Sequence, residues 1–158
     1  MSRPTFWHQG KPVRAAGLLL WTWDRNTKLY LMNRYRNRYE DLGGKTDTVD
    51  DNALCTAVRE AAEESNGKLF DLDDTLEDCK QRLHDHIQDP AVFYNARSKY
   101  LLFLVYVDPS ILSLPMWRFG KSEETDWGTL PHHFQWIQWI QWRRGTRKLH
   151  PRLWGINC

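Results

Sequence analysis

Glu60, Glu63 and Glu64 fall within five residues of one another, with Arg59 immediately ahead of them and two adjacent glycines, Gly43 and Gly44, upstream. On a helix turning about 100° per residue, Glu63 lies ~60° to one side of Glu60 and Glu64 ~40° to the other, so the three carboxylates share an arc of about 100°. Like charges so placed repel by about 0.2–0.5 kcal/mol per helical pair. Crowding raises their proton affinity unless a cation compensates. Arg59, four residues before Glu63, offsets only part of this charge. A merely solvated acidic face would mix signs. A cluster of oxygen ligands suits a hard divalent cation, Mg²⁺ or Mn²⁺, rather than zinc or copper. The double glycine permits a backbone that can turn a carbonyl toward such an ion.

Several elements must hold these residues in place. Ala15 to Trp23 reads as a strand, Asp24-Arg25-Asn26-Thr27 as a turn, and Lys28 to Tyr35 as the returning strand. Asp41 to Lys45 reads as a glycine loop. Asn52 to Ser65 carries a helical pattern, with Leu54, Ala57, Val58 and Ala61 on one face, a cap among Asp50, Asp51 and Asn52, and a stop at Gly67. A second helix is expected from about Thr75 to Ile87. Strands follow at Ala91 to Tyr94 and Tyr100 to Val107, the latter buried by its composition. A polar loop spans Ser110 to Thr129, and Phe134 to Trp142 is expected to be a strand. The order predicts an α/β fold of the mixed-sheet α+β kind, with helices on the sheet's faces.

The 158 residues suit a single domain, expected over 1–158, with a helical insertion at about 68–90 and a basic C-terminal tail. Apolar residues at 41% and charged residues at 27% exclude a disordered chain. No apolar run is long enough to suggest a membrane helix, and the first residues lack an apolar signal core. A soluble protein of the cytoplasm is the expectation. Three cysteines without paired spacing fit a reducing compartment. The charge is segregated: residues 1–49 hold nine Lys/Arg against four Asp/Glu, 50–90 four against twelve, and 91–158 nine against four. An acidic middle between basic flanks suits a site that holds cations at its centre and anions around them.

The segment from Gly43 to Gly67 resembles the Nudix box, Gly-x5-Glu-x7-Arg-Glu-U-x-Glu-Glu-x-Gly-U, where U is a bulky aliphatic residue. Gly44 matches the first glycine. Arg59-Glu60-Ala61-Ala62-Glu63-Glu64 matches the central run, and Gly67 with Leu69 matches its close. Either Asp50 or Asp51 takes the place of the box's first glutamate. Ala61 is smaller than the usual aliphatic residue, and one residue is inserted before Gly67. The resemblance implies a Nudix-like α/β/α sandwich and hydrolysis of a diphosphate linkage. It implies that Glu60, Glu63, Glu64 and the Gly43 carbonyl bind Mg²⁺ or Mn²⁺ and that Arg59 orients Glu63. A later acid often completes such sites. Glu123 and Glu124 are the candidates, with Glu124 preferred as both a catalytic and a metal-binding residue.

On the substrate side, Arg34, Arg36 and Arg38 alternate along one expected strand and so project to one face, where Arg forks suit phosphate oxygens. Lys45 resembles a lysine common next to the box glycine. Some of the nine tryptophans, Trp21 and Trp23 among them, are candidates for base stacking. The expected substrate is a nucleoside diphosphate derivative, with dinucleoside polyphosphates and the 5′ cap of mRNA as leading forms. RNA is a candidate partner and a homodimer is compatible with the sequence. A diphosphoinositol polyphosphate is the alternative substrate. A non-catalytic nucleotide- or RNA-binding module is the alternative of another class, though such modules usually lose the box carboxylates that this chain keeps.

Overall fold

The computed structural model describes residues 2–35, 38–65, 91–113, 133–137 and 149–156. The expected second helix, most of the polar loop, Gly67, Arg36, Glu123 and Glu124 lie outside the described residues, as do the proposed insertion and most of the basic tail.

The scaffold grows from β3 (Ala15–Asp24), ten residues long and almost entirely buried over Ala16 to Leu20. Its even-numbered side chains, Ala16, Leu18 and Leu20, enter one apolar core, and its odd-numbered ones, Ala15, Leu19 and Trp21, enter another. A strand alternates side chains between two faces, so apolar residues at both parities require cover on both sides of the sheet. On one edge β3 runs parallel to β8 (Tyr100–Tyr106), paired from Ala15 with Tyr100 to Trp21 with Tyr106. β8 in turn pairs antiparallel with β7 (Ala91–Asn95). The other edge of β3 is shared. Its second half forms the expected hairpin with β4 (Thr27–Tyr35), turning at Arg25, where φ is 58°. Its first half pairs antiparallel with β6 (Leu42–Lys45), which places Gly43 opposite Gly17 and Gly44 opposite Ala16. β5 (Arg38–Glu40) and β9 (His133–Ile137) flank β4. The result is the expected mixed α+β architecture: among the described residues, a seven-stranded mixed sheet with packed layers on both faces.

The one described α-helix, α1 (Ala53–Glu64), covers the face of the even-numbered β3 residues through Ala53, Ala57 and Ala61. Asn52 caps it by accepting a hydrogen bond from the Cys55 amide at 2.9 Å. The helix ends at Ser65, whose amide donates to the Ala61 carbonyl. On the opposite face, Leu149, Leu153 and Ile156 cover Leu19, Tyr30, Met32 and Leu102. Asn95 ties this segment down by donating to the Pro151 and Arg152 carbonyls at 3.1 and 3.2 Å.

Three features depart from the sequence reading. A hairpin of β1 (Phe6–His8) and β2 (Lys11–Val13) precedes the sheet, turning at Gln9 and Gly10 with φ of 48° and 76°. Positive φ at both central residues is the geometry of a tight two-residue hairpin turn. The supposed glycine loop is the strand β6. And Arg34 and Arg38, expected on one strand, lie on two. The chain reverses after Tyr35, so Tyr35 pairs with Arg38 and Arg34 with Tyr39. Cross-strand partners share a face, so Arg34 and Arg38 stand on opposite faces of the sheet. No described helix is long and apolar enough to cross a membrane.

Candidate active site

Gly43, Gly44 and the acidic side chains of α1 come together where the helix meets the edge of β6 turned away from β3. Along β6 the even-numbered residues bond to β3, so the backbone groups of Gly43 and Lys45 point the other way. They are taken up by helix side chains. The Gly43 amide donates to Glu64 Oε2 at 3.1 Å, and Arg59 Nη2 donates to the Lys45 carbonyl at 2.9 Å. The N–H and C=O of one strand residue face the same edge, so the Gly43 carbonyl also faces the side on which Glu64 lies. Both glycines are needed for this approach. A methyl group on Gly44 would stand 2.5 Å from the Glu60 carboxyl carbon, and one on Gly43 would meet the Tyr100 hydroxyl with the Ala16 carbonyl 2.7 Å away.

Arg59 is the hub of the site. Its fork grips Asp50, with Nε 2.8 Å from Oδ1 and Nη2 3.0 Å from Oδ2, and its Nη1 lies 3.3 Å from both Glu60 Oε1 and Glu63 Oε1. Burial opposes the charge on Arg59, but Asp50, joined by Glu60 and Glu63, outweighs it and holds the guanidinium above its ordinary pKa. Asp50 is itself fully engaged. Its buried carboxylate also accepts from the Asp47 amide at 2.9 Å and the Thr56 hydroxyl at 2.7 Å. Asp51 is exposed. Of the two aspartates the sequence left open, Asp50 is therefore the one that reaches Arg59.

The three carboxylates of α1 are expected to need a divalent cation as their chief compensation. Protein groups also lie against them: Arg59 beside Glu60 and Glu63, and the Gly43 amide on Glu64. Among the described residues, no three His, Cys, Asp or Glu side chains converge as a metal cage. The donor chemistry nevertheless fits Mg²⁺ or Mn²⁺. The available atoms are carboxylate and carbonyl oxygens, and the lack of a side chain on Gly44 lets the Glu60 carboxylate lie directly against the strand that carries the Gly43 carbonyl. Glu60 and Glu64 are buried, whereas the Glu63 side chain is 37% exposed.

A cleft of about 400 Å³ opens beside these groups, lined by Arg3, Lys45, Thr46, Thr48, Arg59 and Glu60. Asp47 also borders it. The Val49 amide, then the Thr48 hydroxyl, hold the Asp47 carboxyl below its ordinary pKa.

The chain is similar to the Ap4A hydrolase of C. elegans. A binary complex of that enzyme aligns at 16% identity over 79% of this chain and 80% of that one, with a TM-score of 0.48. A second structure of it aligns at 16% identity over 84% of each chain, with a TM-score of 0.44. No protein-family model and no curated protein matches the chain.

Other sequence candidates lie apart from this cleft. Arg34 and Arg38 are exposed on separate strands. Trp21 and Trp23 stand edge to face at 6.0 Å, and Lys28 lies 4.2 Å above the Trp21 ring. By strand parity this group belongs to the face opposite α1.

One cluster was missed entirely. Beneath β6, on the face away from α1, Tyr100 donates to Asp41 Oδ2 and Arg152 Nε donates to Asp41 Oδ1 at 2.8 Å, with the guanidinium 4.8 Å from the Tyr100 ring centre. Burial pushes the Tyr100 hydroxyl well above its ordinary pKa. Burial opposes the charge of Arg152, but Asp41, aided by Tyr100, Glu40 and Glu64, keeps it raised. Asp41 and Arg152 are 111 residues apart, and no local pattern announces such a pair.

Proposed function

We propose that this chain hydrolyses a diphosphate linkage in a nucleoside diphosphate derivative, with Mg²⁺ or Mn²⁺ held by Glu60, Glu63, Glu64 and the Gly43 carbonyl. The observation that carries this reading is the docking of the α1 carboxylates on the edge of the glycine strand turned away from β3, with Arg59 and Asp50 fixing the helix to that edge beside an open cleft. The Nudix-box resemblance supplies the reaction class. The bound cation would neutralise the diphosphate and acidify the attacking water.

The protein's part is positional and electrostatic. Gly43 holds Glu64 through its amide, and Gly44 lets Glu60 lie against the strand. Arg59 sets the rotamer of Glu63 while spending most of its donors on Asp50 and Lys45. The proton of water would pass to Glu63, the most exposed of the three acids. The water oxygen then bonds to one phosphorus, the bond from that phosphorus to the bridging oxygen breaks, and the second phosphate leaves with the electron pair. Lys45 holds the oxygens of the scissile diphosphate. Glu124 is proposed as an additional acid. Dinucleoside polyphosphates and capped RNA are the first substrates to try.

The test is product release from a panel of diphosphate substrates with Mg²⁺ or Mn²⁺, repeated for Glu63→Gln, Glu64→Gln and Glu124→Gln. The first two should lose several orders of magnitude in kcat while remaining folded. Parent-like activity in both would overturn the proposal.

A further inference from the structure

Arg3 is the unexpected wall of the cleft. The segment around it is fixed to the body of the protein. Arg14 Nη1 donates to the Arg3 carbonyl at 2.6 Å and to Thr5 Oγ1 at 2.9 Å, and the Thr46 hydroxyl donates to the Pro4 carbonyl at 2.7 Å. Thr46 directly follows β6, so the same residues that end the glycine strand hold Arg3 at its mouth.

The guanidinium of Arg3 is not spent on the fold. Its Nε is buried without a hydrogen-bond partner, and among the described residues neither Arg3 nor Lys45 forms an ion pair. Arg59 behaves oppositely, with its donors directed at Asp50, Glu60, Glu63 and Lys45. A buried donor left open is costly unless something else fills it. A cation pair on the rim of a cleft whose other wall is Glu60 calls for an anion that runs from Glu60 outward. A fork of N–H donors is matched to phosphate oxygens.

We propose that Arg3, with Lys45, forms a phosphate subsite beyond the scissile diphosphate, so that the enzyme favours substrates whose phosphate chain extends past the two phosphates it cleaves. This rests on the proposed function for its substrate class, but the subsite itself is a binding claim.

The experiment uses the full chain, Arg3→Ala and Arg3→Lys. KM and kcat are measured on dinucleotides that differ only in the number of bridging phosphates, and inorganic triphosphate binding is measured by calorimetry in Mg²⁺. Losing one charge-assisted contact should raise KM for the long-bridged substrates roughly tenfold to a hundredfold and weaken triphosphate binding similarly. The KM for a two-phosphate bridge and every kcat should stay within about twofold, and Arg3→Lys should recover part of the loss because it keeps the charge without the fork. A purely structural role would instead lower the unfolding midpoint and affect all substrates alike, and that outcome would overturn the subsite. So would triphosphate binding that is absent in the parent or unchanged by Arg3→Ala. If the parent binds triphosphate through Arg3 yet turns nothing over, the subsite stands and the hydrolase reading fails.

Discussion

Replacing Asp50 by Asn tests the frame of the site with almost no change in shape. The Asp50 side chain is fully buried and takes four hydrogen bonds, from the Asp47 amide, the Thr56 hydroxyl, Arg59 Nε and Arg59 Nη2. An amide can accept at its oxygen only. Its NH₂ end must take either the place of Oδ1, against Arg59 Nε, or that of Oδ2, against Arg59 Nη2, the Thr56 hydroxyl and the Asp47 amide, so one to three of the four contacts become donor against donor. The Arg59 side chain, 15% exposed, then keeps its charge with Glu60 and Glu63 as its remaining ion-pair partners among the described residues. Breaking a buried pair from one side costs about 3–5 kcal/mol. Because Arg59 retains those partners and some solvent, about 2–4 kcal/mol is expected here. For a chain of this size that corresponds to a fall of roughly 5–15 °C in Tm. Urea unfolding followed by tryptophan fluorescence measures it as a lower midpoint at unchanged slope. The exposed neighbour provides the control: Asp51→Asn should stay within about 0.5 kcal/mol of the parent. A near-neutral Asp50→Asn beside a damaging Asp51→Asn would refute the assignment of Asp50 as the partner of Arg59.

Further outcomes follow from the same contacts. Gly44→Ala should fold nearly as the parent but lose most activity, because its methyl meets the movable end of Glu60, whereas Gly43→Ala should fail to fold normally, because its methyl meets backbone; circular dichroism and turnover separate the two. Asn52→Ala should cost about 1 kcal/mol in urea unfolding through loss of the α1 cap. Tyr100→Phe should cost about 1–3 kcal/mol by leaving Asp41 short of a donor in a buried site. Burial first, and then Arg152, lowers the pKa of His150, whose Nδ1 accepts from the Arg152 amide at 3.2 Å. The folded state thus prefers neutral His150, so its contribution is complete above the ordinary value of about 6.5 and is lost as pH falls through the lowered one. His150→Asn should flatten that part of the stability profile.

The sequence made some elements plain and hid others for physical reasons. β3, β8 and α1 carry long, regular patterns of apolar side chains, and these survive in the structure nearly to their ends. Short elements leave no such pattern. β1, β2 and β5 are three residues each, and only the Gln9-Gly10 turn marked the first hairpin. β6 was misread because glycines usually weaken strands. Here they are strand residues because a helix carboxylate and a tyrosine hydroxyl press against them from opposite faces. The same gap in turn signals made Arg34 to Arg38 look continuous. The acidic residues on α1 could be found from spacing alone, but their compensation by Arg59, Asp50 and the Gly43 amide depends on how β6 docks. Arg3 and Arg152 reach their partners across the fold, and no local sequence feature encodes that.

Anomalous diffraction from crystals soaked in Mn²⁺ tests the central claim most directly. The account predicts a peak within coordination distance of Glu60 and Glu64, on the outer edge of β6 next to the Gly43 carbonyl, and no such peak in crystals of Glu64→Gln. Fully occupied manganese elsewhere, with bare carboxylates on α1, would contradict it.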